Sequence, residues 1–267
     1  MNRTMRAAVC VRAGGPEVLE IHELPIPAVR EGWSLVQVKG AGLNRSELRT
    51  RQGHSPNVTF PRVLGIECVG IVAASMDALG IVPGRAGRML IRGGTSSVGM
   101  AAASIASGYG LKTAATTRRQ SKADALTEAG IDHVLIDDGG PLTAGMHAVW
   151  PEGPDYVPDL VGARTAVDSL HLVRRGGTVC VTGSLSGWLI QDFEPIAMIP
   201  SGTKLTAFHS DNAKGSAGAA VLQRVVREVE ASVYRPNVDH VFRLDDIVAA
   251  HRYMESDQAT GKLVVVP

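Results

Sequence analysis

The chain has 267 residues, of which 45% are hydrophobic and 20% charged, and 27 Lys and Arg against 26 Asp and Glu leave a formal charge of +1. That balance removes the simplest electrostatic case for a nucleic-acid binder, which needs a basic excess to displace counterions from phosphates. The hydrophobic fraction excludes a disordered chain, no apolar run reaches the roughly 18–20 residues of a membrane span, and the length suits one large or two modest domains.

The start, MNRTMRAAVCV, carries charge and lacks a long apolar stretch, so it does not read as a secretory signal. Cys10, Cys68 and Cys180 lie far apart with no CxxC pair, which predicts buried thiols in a reducing cytoplasm and no zinc ribbon. The first seventy residues are β-rich, with RAAVCVRAGG, LEIHELPIP and SLVQVKGAGL as short strand-prone runs between Gly and Pro. From residue 88 the pattern changes. RMLIR predicts a strand, a Gly-Ser turn follows, and VGMAAASIASGYG is helical up to Gly108 and Gly110. LKTAATT is a second strand, ADALTEAG a helix, and HVLID a third strand. After a poorly patterned stretch come DYVPDLVG, the helical ARTAVDSLHLVRR, the strand GGTVCVTG, the strand KLTAFHS and the helical AAVLQRVVREVEA. FRLDDIVAAHRYMES and GKLVVVP close the chain as a helix and a strand. Strands that are continuous apolar runs alternating with helices predict an α/β fold with a parallel sheet covered on both faces. Pro158 interrupts DYVPDLVG, so that strand is expected to start at Asp159 or to be bulged there.

The strongest motif is LIRGGTSSVGMAAA, which sets Gly93, Gly94 and Gly99 between a strand and a helix. Glycines there permit the tight turn by which the backbone N–H groups of a loop such as Thr95, Ser96, Ser97 and Val98 approach a pyrophosphate at a helix N-terminus. Their spacing departs from strict GxGxxG, and an ordinary strand-to-helix turn has the same composition. The next strand ends in Thr117, Arg118 and Arg119, with Lys122 just beyond. An NAD site expects an acidic residue at this strand end, whereas two arginines suit the 2′-phosphate of NADPH; the plain alternative is a solvated basic turn. Gly162, Gly183 and Ser184, at the ends of later strands, are placed to line the nicotinamide side.

GLNRSEL, FPRVLGIECVG, RGGTSSVG, GGTVCVTGSLSG and ATGKLVV, in that order, resemble the zinc-independent quinone oxidoreductase branch of the medium-chain dehydrogenase/reductase superfamily. The resemblance implies a Rossmann-type doubly wound parallel sheet, residues 79–233, with a truncated GroES-like β domain made of residues 1–78 and 234–267. It implies NADPH-dependent reduction of a quinone or an α,β-unsaturated carbonyl, and a homodimer joined through the nucleotide domains. Zinc-dependent relatives carry a ligand Cys where this chain has Asn44 and a ligand His where it has Ile66, so no metal is expected. Asn44 matches the polar residue beside the nicotinamide and is the candidate catalytic residue; a turn amide bonded to nearby backbone is the other reading. Lys262 of ATGKLVV matches a recurrent position near the cofactor domain, and a surface lysine is the simpler reading. His251 is expected to be structural.

The chain also departs from the family. GIVAAS runs directly into MDALGIVPGRAGRMLIRGG, the segment that immediately precedes the nucleotide-domain strand in relatives, so several tens of residues of the barrel are missing. His54 and Ser55 stand where a Tyr is frequent, and Asp137 stands where a cofactor-contacting Tyr is expected. Removal of half a barrel predicts exposed apolar faces, covered in an assembly that buries KLTAFHS, the apolar segment before it and the flank at 69–79. Two other functions fit the shortened pocket: a cyclase or isomerase acting on a natural-product intermediate, and an NADPH-binding protein without catalysis. Neither a GxSxG elbow nor a GK[ST] loop is present, which excludes an α/β-hydrolase elbow and a P-loop.

Overall fold

The computed structural model describes residues 4–29, 31, 35–55, 57–65, 75–187, 189–209 and 215–267. The chain divides into two compact units, residues 1–67 with 238–267, and residues 68–237.

The larger unit holds a six-stranded parallel sheet: β5 (Arg88–Ile91), β6 (Lys112–Thr117), β7 (His133–Ile136), β8 (Tyr156–Asp159), β9 (Thr178–Val181) and β10 (Lys204–Ala207). Its spatial order is β10-β9-β8-β5-β6-β7, which reverses direction between β5 and β8. This is the doubly wound arrangement predicted from the alternation of apolar strands and helices. Two cores flank the sheet. One gathers Met89, Ile91, Met100, Ala103, Ala106, Leu126 and Cys180; the other gathers Leu90, Ala114, Met146, Leu170 and Val179. Alternate residues of β5 thus enter opposite cores, as a strand buried on both faces requires.

Several local expectations are corrected. The strand at DYVPDLVG neither starts late nor bulges, since β8 runs through Pro158 in register with Cys180 of β9. The carbonyl of Pro158 accepts the Arg92 N–H, so its missing donor faces β5. There the ladder holds only the Met89–Tyr156 pair and an isolated bridge from Arg92 to Asp159, which leaves room for a proline. The poorly patterned stretch contains the helix Thr143–Val149, with Met146 fully buried. The flank at 69–79 is not exposed where it is described: Met76 and Leu79 are buried in the larger unit's core, and residues 69–74 lie outside the described residues. Met76 therefore sits with the larger unit, although residues up to 78 were expected in the smaller one, and Leu79 lies in the larger unit as expected.

The smaller unit has two three-stranded sheets. β1 (Thr4–Cys10) lies between β2 (Leu19–Pro25) and β4 (Arg62–Val63), and β12 (Lys262–Val266) lies between β11 (Val238–Arg243) and β3 (Ala41–Gly42). Cys10, Leu19, Leu43, Ile247, Met254, Leu263 and Val265 form its core. Of the expected strand SLVQVKGAGL only Ala41–Gly42 pairs, while Leu35, Val36 and Val38 are exposed. High strand propensity does not make a strand without a neighbour to pair with. No helix among the described residues is long and apolar enough to cross a membrane.

Candidate functional site

The carboxyl ends of β5, β6, β8 and β9 converge on the glycine turn. Gly93 has φ +82°, and its N–H donates to Thr116 Oγ1 at 3.0 Å. The Gly94 N–H donates to the Thr116 carbonyl, and a Cβ on Gly94 would sit 2.7 Å from the Ala115 side chain. A Cβ on Gly99 would lie 2.5 Å from the carbonyl oxygens of both Gly93 and Gly94. Both glycines are therefore required by the packing of the helix Ser97–Gly108 against the strands. Ser96 caps that helix: its hydroxyl accepts from the Gly99 N–H at 3.0 Å and donates to the Gly93 carbonyl. The backbone N–H groups of Thr95, Ser97 and Val98 have no hydrogen-bond partner among the described residues. Three convergent donors at the positive end of a twelve-residue helix form a cradle for an anion.

At the end of β6 the expected residues divide. Thr117 is buried, and its hydroxyl accepts from the Arg119 N–H at 3.3 Å, which shapes the turn that carries Arg118 and Arg119. Arg118 and Arg119 are exposed and Lys122 is half-buried, its N–H closing the turn on the Arg119 carbonyl. Gly162, with φ +96°, is pressed against the β9 end, since a Cβ on it would lie 2.4 Å from the Gly183 carbonyl and 3.1 Å from the Ser184 Cα. Gly183 in turn has room for no side chain, as its Cβ would meet the Leu160 carbonyl at 1.9 Å. The candidates Gly93 to Gly99, Gly162, Gly183 and Ser184 thus lie along one edge of one sheet, beside Arg118, Arg119 and Lys122.

Two buried groups that the sequence reading missed organise this edge. Asp159 is fully buried at the end of β8, where one carboxyl oxygen accepts from the Val161 and Gly162 N–H groups and the Thr165 hydroxyl. The other oxygen accepts from Ser169 at 2.8 Å. Arg92, also buried, spans Asp137 at 2.9 Å and Asp168 at 2.5 Å. These three residues, with Arg164 and the loop at 139–141, line a cleft of about 190 Å³. A charged residue ending each of two buried strands, in LIRGG and VPDLVG, was the available signal.

Asn44 and Lys262 belong to the smaller unit, and the structure joins them: Lys262 Nζ donates to Asn44 Oδ1 at 2.7 Å. Asn44 is the N-cap of the helix Arg45–Arg51 in a capping box with the buried Glu47, whose carboxyl accepts from the Asn44 backbone N–H and from Asn44 Nδ2. Asn44 Nδ2 also donates to the Gly42 carbonyl at 3.3 Å, so the turn-amide reading describes its contacts here. His54 is exposed, and Ile66, Glu67 and Cys68 lie outside the described residues. Among the described residues no three His, Cys, Asp or Glu side chains are grouped to hold a metal. The thiols of Cys10 and Cys180 are free and buried, and desolvation raises the pKa of each. His251 is buried as expected of a structural residue; burial, reinforced by the Arg51 charge, lowers its pKa to about 4.

The zinc-binding dehydrogenase family model matches residues 129–265, just over half of the chain, and the alcohol dehydrogenase GroES-like domain matches residues 30–91. The human quinone oxidoreductase is 22% identical, with 99% of this chain and 98% of that protein covered. That alignment runs over 326 positions against a chain of 267 residues, so the relative carries several tens of residues that this chain lacks. Among solved structures, the quinone oxidoreductase from Coxiella burnetii is 16% identical with a TM-score of 0.83, covering 99% of this chain and all of that one. A mycobacterial protein complexed with NADPH is 20% identical with a TM-score of 0.85, covering 98% and 100%. With the doubly wound sheet, the glycine turn and the small β unit, these matches place the chain in the zinc-binding dehydrogenase family, as a quinone-oxidoreductase-like member of the medium-chain dehydrogenase/reductase superfamily.

Proposed function

We propose that the protein is an NADPH-dependent, zinc-free reductase of a quinone or an α,β-unsaturated carbonyl. The observation that carries this reading is the group of unpartnered N–H donors of Thr95, Ser97 and Val98 next to the exposed Arg118 and Arg119. Such donors fit a pyrophosphate, and the guanidinium forks fit a ribose 2′-phosphate. When bound, the nicotinamide supplies hydride to a quinone ring or to the β-carbon of an enone, and water or a group held by Asn44 returns the proton. Gly162, Gly183 and Ser184 pack closely at the β8 and β9 ends, on the part of the sheet edge where the nicotinamide half would lie. Lys262 keeps the Asn44 amide oriented through its 2.7 Å hydrogen bond. Asn44 and Ile66, in place of a thiolate and an imidazole, support chemistry without zinc.

The test is NADPH oxidation monitored with a series of small quinones and enones, alongside direct titration of the nucleotide. Turnover that survives chelator, in protein free of stoichiometric zinc by elemental analysis, is the expected result. Zinc-dependent turnover overturns the metal assignment, and failure to bind NADPH overturns the whole reading. The shortened β unit favours one second reading, a protein that binds NADPH without turning it over, which binding without oxidation of any acceptor would establish.

A further inference from the structure

The cleft beside the glycine turn is lined by an unusual set of charges for an ordinary strand-end groove. Arg92 is buried beneath it and pairs with both Asp137 and Asp168. Each oxygen of the Asp137 carboxyl already accepts a hydrogen bond, one from Arg92 and the other from the Gly139 N–H, and the side chain is buried. Asp168 is different. It is partly exposed, and Arg92, its sole partner among the described residues, occupies Oδ2 and leaves Oδ1 open. Arg164 lines the same cleft, is exposed, and its guanidinium has no partner among the described residues. The cleft therefore offers an open carboxylate oxygen and an exposed planar cation, two features that suit a flat heteroaromatic ring bearing an amino group.

The place of the cleft says which ring. It is bounded by Arg92, which precedes Gly93, and by the loop after β7, which neighbours β6 in the sheet. If Arg118 and Arg119 at the β6 end hold the ribose phosphate, the base carried by that ribose comes to the adjacent β7 side. We infer that Asp168, held by Arg92, reads the exocyclic amino group of the cofactor's adenine, with the Arg164 guanidinium against the face of the base. This rests on the cofactor reading above and adds a base-specificity residue to it. The resemblance expects a cofactor-contacting Tyr at Asp137; here that position anchors Arg92 instead.

The experiment compares NADPH with the analogue whose base is unsubstituted purine, by fluorescence titration of the full-length protein. The analogue lacks the amino donor and gains no other. A hydrogen bond to a charged acceptor predicts that it binds at least roughly tenfold more weakly. Asp168→Asn keeps the shape and an acceptor oxygen but not the charge, so the preference should shrink to a few-fold while NADPH still binds. Equal affinities in the unmutated protein overturn the inference, as does a preference that Asp168→Asn leaves unchanged. If the variant does not fold, the two titrations of the unmutated chain decide by themselves: a tenfold gap supports the inference and equality overturns it. Absence of binding by either dinucleotide instead overturns the cofactor reading, and this inference with it.

Discussion

In the larger unit the buried carboxyl of Asp159 has four donors aimed at it, whereas in the smaller unit the equally buried His251 has an Nδ1 with no partner among the described residues. The buried cations differ less, since the Nε of Arg92 and that of Arg51 both lack a partner among the described residues. Arg92 is matched by two carboxylates, while the fully buried Arg51 is paired with the single Glu255 and bonded to the Gly14 carbonyl. In the larger unit the Asp159 network ties the loop after β8 to the helix that follows it, which is what a preorganised ligand site demands. The smaller unit instead carries exposed apolar residues at Leu35, Val36 and Val38.

The largest test breaks the Asp159 network. Asp159→Ala strands two backbone N–H groups and two hydroxyls in the interior, so unfolding free energy should fall by roughly 3–5 kcal/mol. Asp159→Asn, which can still accept through its oxygen, should lose less than half of that. Urea denaturation of the two variants checks the ratio; equal losses would mean that the network around Asp159 does not discriminate acceptor from amide.

In the smaller unit the handle is pH. The His251 pKa is lowered to about 4 when folded, against an ordinary value near 6.5 in the unfolded chain. Between those values the unfolded state binds a proton that the folded state does not. Stability from this residue is thus complete above about pH 6.5 and is lost as pH falls toward about 4, by on the order of 3 kcal/mol in all. Carboxyl groups titrate over part of the same range, so the informative quantity is the difference between the wild type and His251→Met. That difference should narrow steadily from pH 7 to pH 4.5, and a constant difference would show that His251 protonates freely in the folded state.

A third test sharpens the claim that ligand binding resides in the larger unit. Arg118→Ala combined with Arg119→Ala should weaken NADPH by about 30- to 100-fold, as expected from two exposed charge-assisted contacts, and leave NADH nearly unchanged. Isothermal titration with both nucleotides reads this directly. Equal affinity for NADPH and NADH in the unmutated chain would remove the 2′-phosphate assignment.

What was legible in the sequence follows the same division. Continuous apolar strands and small-residue helices made the parallel sheet readable, and GGTSSVG located the turn because its glycines are forced by packing against Ala115 and the Gly93 carbonyl. Pro158 misled because its effect depends on which neighbour the missing N–H faces, a property of sheet order and not of local sequence. The Arg92 network was invisible for a related reason: its carboxylates lie 45 and 76 residues away. In the smaller unit, SLVQV looked like a strand because propensity says nothing about whether a partner strand is present. Asn44 was legible as a polar residue at the right motif position, but its capping box with Glu47 was not anticipated.

The smallest expected effect concerns how each unit covers its apolar surface. In the larger unit Leu185, Leu189 and Ile196, between β9 and the edge strand β10, are exposed, Ile196 at 92%. In the smaller unit the exposed residues are Leu35, Val36 and Val38. Exposed apolar groups beside a free sheet edge favour association, and we expect a homodimer that buries the segment before β10. For a dimer whose folding is coupled to assembly, a hundredfold rise in protein concentration should raise the melting temperature by roughly 2–5 °C. Ile196→Glu should abolish that dependence and yield a monomer by light scattering, because a charge at the centre of an apolar contact is left without a partner. Val36→Glu serves as the counter-test on the other unit. If Val36→Glu removes the dependence and Ile196→Glu does not, association runs through the shortened β unit, and the missing residues of the barrel have been replaced by a second copy of the chain.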